Sequence, residues 1–180
     1  MSPSAKSGAG RTKKIDSTKK PVVENESLEG KKAPSFKLPD ESGKPVALKD
    51  LLADGNLVLY FYPKDLTPGC TTEACSFRDN LAAIRKTGAR VVGVSGDSSS
   101  SHQKFIAKYE LNFPLLVDVD NEVAKAYGVY KMKSLYGRQY MGIERTTFII
   151  DRAGKVRKVF PKVKVGGHTE EVLAALKEIA

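Results

Sequence analysis

The run Leu57-Val58-Leu59-Tyr60-Phe61-Tyr62, stopped by Pro63, narrows what this chain can fold into more than any other feature. Six successive apolar side chains leave no polar face for water, so a strand built from them has to be covered on both sides. Pro63 has no N–H to give a ladder and ends the strand. The run is far shorter than the roughly 20 apolar residues that cross a bilayer as a helix, so no membrane-spanning segment is expected. The next segment supplies a cover. Ala74, Phe77, Leu81 and Ile84 recur at three- and four-residue steps, which predicts a helix over 70–86 with Gly88 as its cap.

The same reading extends along the chain. Segments 36–38 and 46–48 flank the turn signal Glu41-Ser42-Gly43 and suggest a short hairpin. A strand is expected over 91–94, a helix over 98–109 opened by Ser98, a strand over 115–117 and a short helix over 122–127. A loop of about fifteen residues leads to strands at 146–150 and 155–160, paired around Asp151-Arg152-Ala153-Gly154, and to a last helix over 168–179. Strands alternating with helices define an α/β domain. The expected architecture is thioredoxin-like, a central mixed β-sheet flanked by helices.

At 180 residues, with 41% hydrophobic and 28% charged side chains, the chain can bury a real core. Residues 1–27 differ: they are rich in Ser, Lys, Thr and Gly and lack periodicity, so they are expected to form a disordered basic tail before a domain over 28–180. Within residues 1–20, Lys6, Arg11, Lys13, Lys14, Lys19 and Lys20 face only Asp16, so more than half of the net charge of +9 sits in those first twenty residues. Arg11-Thr12-Lys13-Lys14 and Lys19-Lys20 form a weak bipartite nuclear signal or a nonspecific nucleic-acid contact, weighed below a solubilising role. No apolar block follows the N-terminal charges, so a cytoplasmic protein is expected, with the nucleus as the alternative. Tyr127, Tyr130, Tyr136 and Tyr140 are read as packing a loop rather than stacking nucleic acid.

Two cysteines are too few for a secreted disulfide scaffold. Cys70 stands where the buried strand hands over to a helix, the end of a sheet at which α/β proteins hold ligands. In a first helical turn a thiolate faces unpaired N–H groups and the positive end of the dipole, which raises the reactive fraction of a nucleophile. Thr67 can offer a hydroxyl to the sulfur or to an incoming oxygen. Pro63 and Pro68 stiffen the lead-in, and Gly69 permits a backbone approach that a side chain would obstruct. A buried, inert cysteine is the competing reading. Zinc would need two ligands beyond Cys70 and Cys75, with only His102 and His168 as nitrogen donors, and a Cys-x-x-Cys reductase spacing is absent. No metal and no cofactor are expected.

The run from Tyr62 to Asp79, Tyr-Pro-Lys-Asp-Leu-Thr-Pro-Gly-Cys-Thr-Thr-Glu-Ala-Cys-Ser-Phe-Arg-Asp, resembles the bacterioferritin comigratory protein, or PrxQ, branch of the peroxiredoxins. The resemblance runs from about Leu28 to the C-terminus and includes Ala33-Pro34-Ser35-Phe36, Val94-Ser95-Gly96-Asp97 and Gly142-Ile143-Glu144-Arg145-Thr146-Thr147-Phe148. It implies a peroxidase reducing hydrogen peroxide and organic hydroperoxides, with Cys70 as the peroxidatic and Cys75 as the resolving cysteine. Thr67 would orient the peroxide, Pro63 shield the site from water, and Arg145 stabilise thiolate and developing negative charge. It further implies an atypical two-cysteine cycle through an intramolecular disulfide, a monomer, and re-reduction by thioredoxin. The basic tail departs from the branch, whose bacterial members begin near the position of Leu28. A redox sensor or nuclear interaction protein, using the same disulfide as a signal, is the alternative.

Overall fold

The computed structural model describes residues 27–180; the expected tail therefore lies almost wholly outside the described residues. The elements in chain order are β1 (Lys37–Pro39), β2 (Pro45–Ala47), α1 (Leu48–Leu51), β3 (Asn56–Phe61), α2 (Pro68–Lys86), β4 (Ala89–Ser95) and α3 (Ser99–Tyr109). They continue with β5 (Leu115–Val117), α4 (Glu122–Ala126), β6 (Tyr130–Leu135), β7 (Arg138–Ile143), β8 (Thr146–Ile150), β9 (Val156–Phe160) and α5 (His168–Ile179).

The main sheet has the order β5-β4-β3-β8-β9. β3, β4 and β5 run parallel, while β8 pairs antiparallel with β3 and β9 with β8, so the sheet is mixed as expected. β3 sits in its centre because its side chains tolerate no water on either face. Leu57, Leu59 and Phe61 point into a core closed by α1, α4 and Tyr127. Val58, Tyr60 and Tyr62 point the other way, against Ala74, Phe77, Leu81 and Ile84 of α2 and Val172 and Leu176 of α5. Each of the buried Val, Leu, Ile and Phe side chains contributes roughly 1.5–3 kcal/mol. Gly93 of β4 makes room for Tyr60: a Cβ there would lie 2.9 Å from the tyrosine Cζ and 2.8 Å from Leu115.

Two terminal details position the chemistry. The ladder carries on past β3, since the Tyr62 N–H donates to the Val94 carbonyl at 3.1 Å. α2 starts at Pro68 rather than at Cys70, with Thr67 as an extended N-cap, because proline's fixed φ suits a first helical position and its missing N–H is no loss there. Cys70 is thus the third residue of the helix.

The expected loop between the short fourth helix and β8 is instead a hairpin, β6 paired antiparallel to β7 from Tyr130↔Ile143 to Leu135↔Arg138. It is mostly exposed on both faces, so no buried stripe imposes an alternation on its sequence. Its two-residue turn has positive φ at Tyr136 and Gly137, the geometry that Asn-Gly normally signals. The tyrosines divide accordingly: Tyr127 is core, whereas Tyr136 is 97% exposed at the tip and Tyr140 is exposed on β7.

Candidate active site

Cys70 owes its place to an amphipathic helix start. Counting back from Ile84 by threes and fours along α2, the inward stripe passes through Leu81, Phe77, Ala74, Glu73 and Cys70, all buried. The stripe therefore carries Cys70 into the core cluster of Tyr60, Tyr62 and Phe77, where the residue is 2% exposed. The first intrahelical bond runs from the Thr71 N–H to the Thr67 carbonyl at 2.9 Å. The N–H groups of Gly69 and Cys70 precede that bond and add their positive polarity around the sulfur.

Arg145, immediately before β8, reaches this helix start from across the sheet. Its Nη2 donates to Cys70 Sγ at 3.2 Å and its Nη1 to Glu73 Oε1 at 2.8 Å. The two forks of one guanidinium thus hold a sulfur and a carboxylate at once. Its backbone is fixed by the Val163 N–H, which donates to the Arg145 carbonyl. Gly69 admits the approach, since a Cβ there would stand 3.2 Å from Arg145 Nη2. The glycine is required by this contact and not by its own φ.

Thr67 donates its hydroxyl to the Lys64 carbonyl at 2.8 Å, which leaves the oxygen lone pairs as acceptors for an incoming O–H. Pro63 lies exposed, just after Tyr62 at the exit of the strand. Cys75 is on α2, partly exposed, and both cysteines are free thiols. Lys133 of the hairpin lies within electrostatic reach of Arg145 and Cys70; partial burial, and then the charge of Arg145, lower its pKa. Neither histidine offers its ring to the cysteines. His102 contacts Asp65 and the Leu116 carbonyl, and His168 Nε2 meets Thr147 Oγ1 at 2.8 Å.

Three parts of the site escaped sequence reasoning. Glu73 carried a usable signal, an acid on the buried stripe of an otherwise apolar helix face. Tyr60 carried none, because it reads as one more strand residue; its pKa is raised by burial and then by Glu73 and Cys70, so it stays neutral. The third part is the contact between Asp65 and His102, far apart in sequence. Among the described residues the buried side-chain atoms without a hydrogen-bond partner are Tyr60 Oη, Thr71 Oγ1 and Glu73 Oε2. Two of these belong to the helix turn that carries Cys70.

Burial pushes the Glu73 carboxyl up to about 7, with Arg145 pulling the other way. The folded protein therefore holds a proton that the unfolded chain releases between its ordinary 4.5 and about 7. The stability this carboxyl contributes is complete below the ordinary value and is lost as pH climbs through about 7. Glu73→Gln keeps a hydrogen-bond acceptor for Arg145 without the charge. The variant should gain thermal stability relative to the parent between about pH 5 and about pH 8. A difference in melting temperature that is flat across that range would contradict the protonation assigned to Glu73.

A fold of this kind, with a thiol at a helix start and an arginine on its sulfur, defines a class of thiol-dependent oxidoreductases. The AhpC/TSA family model matches residues 29–159, and the chain belongs to that family, the peroxiredoxins. Peroxiredoxin Bcp of Bacillus subtilis is 48% identical over 151 residues, 84% of this chain and 96% of the relative. Peroxiredoxin Bcp of Escherichia coli is 45% identical over 148 residues, 82% and 94% of the two chains. A solved structure of the Xanthomonas campestris bacterioferritin comigratory protein superposes with a TM-score of 0.76 at 45% identity, covering 80% of this chain and 91% of that one. The chain is a thiol-dependent peroxidase.

Proposed function

We propose that Cys70 is the thiolate that attacks a hydroperoxide and that Cys75 resolves the product within the same chain. The contact of Arg145 Nη2 with Cys70 Sγ carries this reading, because it sets a permanent positive charge on the atom that must be anionic to react. The S–O bond forms as the O–O bond breaks, leaving Cys70 as a sulfenic acid. The departing oxygen takes a proton and leaves as water or an alcohol. Arg145 stabilises the negative charge that gathers on the two oxygens during the cleavage. Thr67 orients the peroxide by accepting its O–H, and Pro63 is the rigid rim that limits water around the sulfur.

The Cys75 thiolate then attacks the sulfenic sulfur, forming an S–S bond and releasing hydroxide that is protonated to water. An external dithiol reduces the disulfide, and thioredoxin, the reductant implied by the family resemblance, is the one proposed. The substrate class is hydroperoxides, inorganic and organic; the Xanthomonas relative was solved in the context of alkyl peroxide reduction. The chain is proposed to act as a monomer, since both cysteines of the cycle lie on one helix.

Cys75→Ser separates attack from resolution. The variant should consume about one equivalent of peroxide and stop with a sulfenic acid on Cys70, which a dimedone probe would label. Sustained turnover with thioredoxin, thioredoxin reductase and NADPH would show that Cys75 is not needed as the resolving group.

A further inference from the structure

The segment 62–67 that carries the chain from β3 to α2 is tied down at Asp65. The Asp65 carboxylate is buried and makes three contacts: it accepts from Tyr62 Oη at 2.6 Å and from Ser101 Oγ at 2.9 Å, and it meets His102 Nδ1 at 2.6 Å. Its backbone N–H donates to Asp97 Oδ2 at 2.9 Å, and that oxygen also accepts from Ser95 Oγ at 2.6 Å. His102, fully buried, faces the Leu116 carbonyl with Nε2 at 2.8 Å. A carbonyl only accepts, so Nε2 carries a proton. Nδ1 faces a carboxylate already taking two other donors, which places the second proton on Nδ1 and makes the ring an imidazolium.

This ion pair is not part of the contacts around the sulfur. It joins the loop before Cys70 to α3, to the end of β4 and to β5, three elements distinct from the first turn of α2. We infer that the buried His102–Asp65 pair is a positioning device for the peroxide reaction, anchoring the loop so that Thr67 and Cys70 are presented to substrate in register with Arg145. The inference rests on the reading of Cys70 as the reacting thiolate.

The groups facing His102 are Asp65 from the loop, Tyr62 from the end of β3, Asp97 after β4, Ser101 from its own helix and the Leu116 carbonyl of β5. Burial opposes the charge on His102. The hydrogen bond to Asp65 and its charge outweigh that, helped by Leu116 and Asp97, so the ring titrates above its ordinary 6.5. The ion pair is therefore complete below the ordinary value and is lost as pH rises through the folded one. Once the proton is gone, a lone pair faces a carboxylate and the anchor loosens.

The test is the rate constant for oxidation of Cys70 by hydrogen peroxide in a single turnover of the full chain, compared among parent, His102→Gln, Asp65→Asn and the double variant. In variants whose circular dichroism shows them folded, each single change should slow the reaction about ten- to a hundredfold, the scale of a misplaced reacting group, and the double variant should be no slower than the worse single. The parent's rate should decline again at the alkaline end of its pH profile, and His102→Gln should level off there. Ser101→Ala, which removes one bond to the same carboxylate at a partly exposed position, should slow the reaction severalfold and serves if the buried variants do not fold. Parental rates in folded variants, losses that multiply in the double variant, or an alkaline decline missing from the parent or shared with His102→Gln would overturn the anchor. If the parent itself left peroxide unreduced at Cys70, the proposed function would fail instead.

Discussion

Cys70→Ser should abolish peroxide turnover, a loss of at least about a thousandfold, while the protein stays folded. The size follows from what is removed: a serine hydroxyl is not ionised at neutral pH, and no positive charge at hydrogen-bond distance makes it so. The fold should survive because oxygen replaces sulfur in a core whose weight lies in Tyr60, Tyr62, Phe77 and their neighbours. The new hydroxyl also keeps Arg145 as a partner. A stability change within about 1–2 kcal/mol is expected. NADPH consumption coupled through thioredoxin, with thermal melting in parallel, reads both quantities. Turnover near the parental rate in a folded Cys70→Ser protein would place the chemistry elsewhere.

Arg145→Ala should have the second largest effect, because one guanidinium holds both the sulfur and Glu73. Loss of a preorganised charge at a reacting centre lowers rates by about 10²–10³, and the rise of rate with pH should move to more alkaline values. The folding penalty is pH-dependent. Breaking a buried ion pair from one side ordinarily costs about 3–5 kcal/mol, but Glu73 already titrates near 7 and moves further up without Arg145, which acts to lower it. The orphaned carboxyl takes a proton instead. The deficit of Arg145→Ala should therefore be small in mild acid and should grow as pH rises past neutrality. Lysine should restore only part of the rate, because an ammonium lacks the planar fork that meets two acceptors together. Unchanged peroxide kinetics in Arg145→Ala would reduce the residue to a structural ion pair.

The sheet and its helices were legible because burial imposes periodicity. The all-apolar strand ending at Pro63 and the stripe from Ala74 to Ile84 are each the trace of a water-free face. Cys70 and Thr67 were marked by their place where the buried strand hands over to a helix, whereas Arg145 was legible only through the resemblance of its neighbourhood, since it meets Cys70 across 75 residues of chain. The β6–β7 hairpin escaped because its exposed faces demand no pattern and its turn uses Tyr-Gly. The Asp65–His102 pair escaped for a different reason. A histidine on a serine-rich helix and an aspartate in a proline-flanked loop acquire meaning only when the parallel β3/β4 crossover brings the two elements together.

The geometry of α2 also limits how the cycle can close. Cys70 and Cys75 belong to one regular helix, where residues five apart are separated by about 7.5 Å along the axis and about 140° around it. A disulfide needs Cα atoms within about 7 Å and converging Cβ vectors. The first turn, with its unpaired N–H groups, is the part able to unwind, and doing so frees Cys70 from Arg145 and exposes the bond to a reductant.

Hydrogen exchange on the protein before and after one equivalent of peroxide, with peptide mass spectrometry to identify the linked cysteines, tests this coupling of chemistry to local unwinding most directly. A Cys70–Cys75 disulfide is expected, together with loss of amide protection over 67–78 and full protection of β3. A confirmed disulfide with equal protection in both redox states, or a persistent sulfenic acid on Cys70 beside an unreacted Cys75, would contradict it.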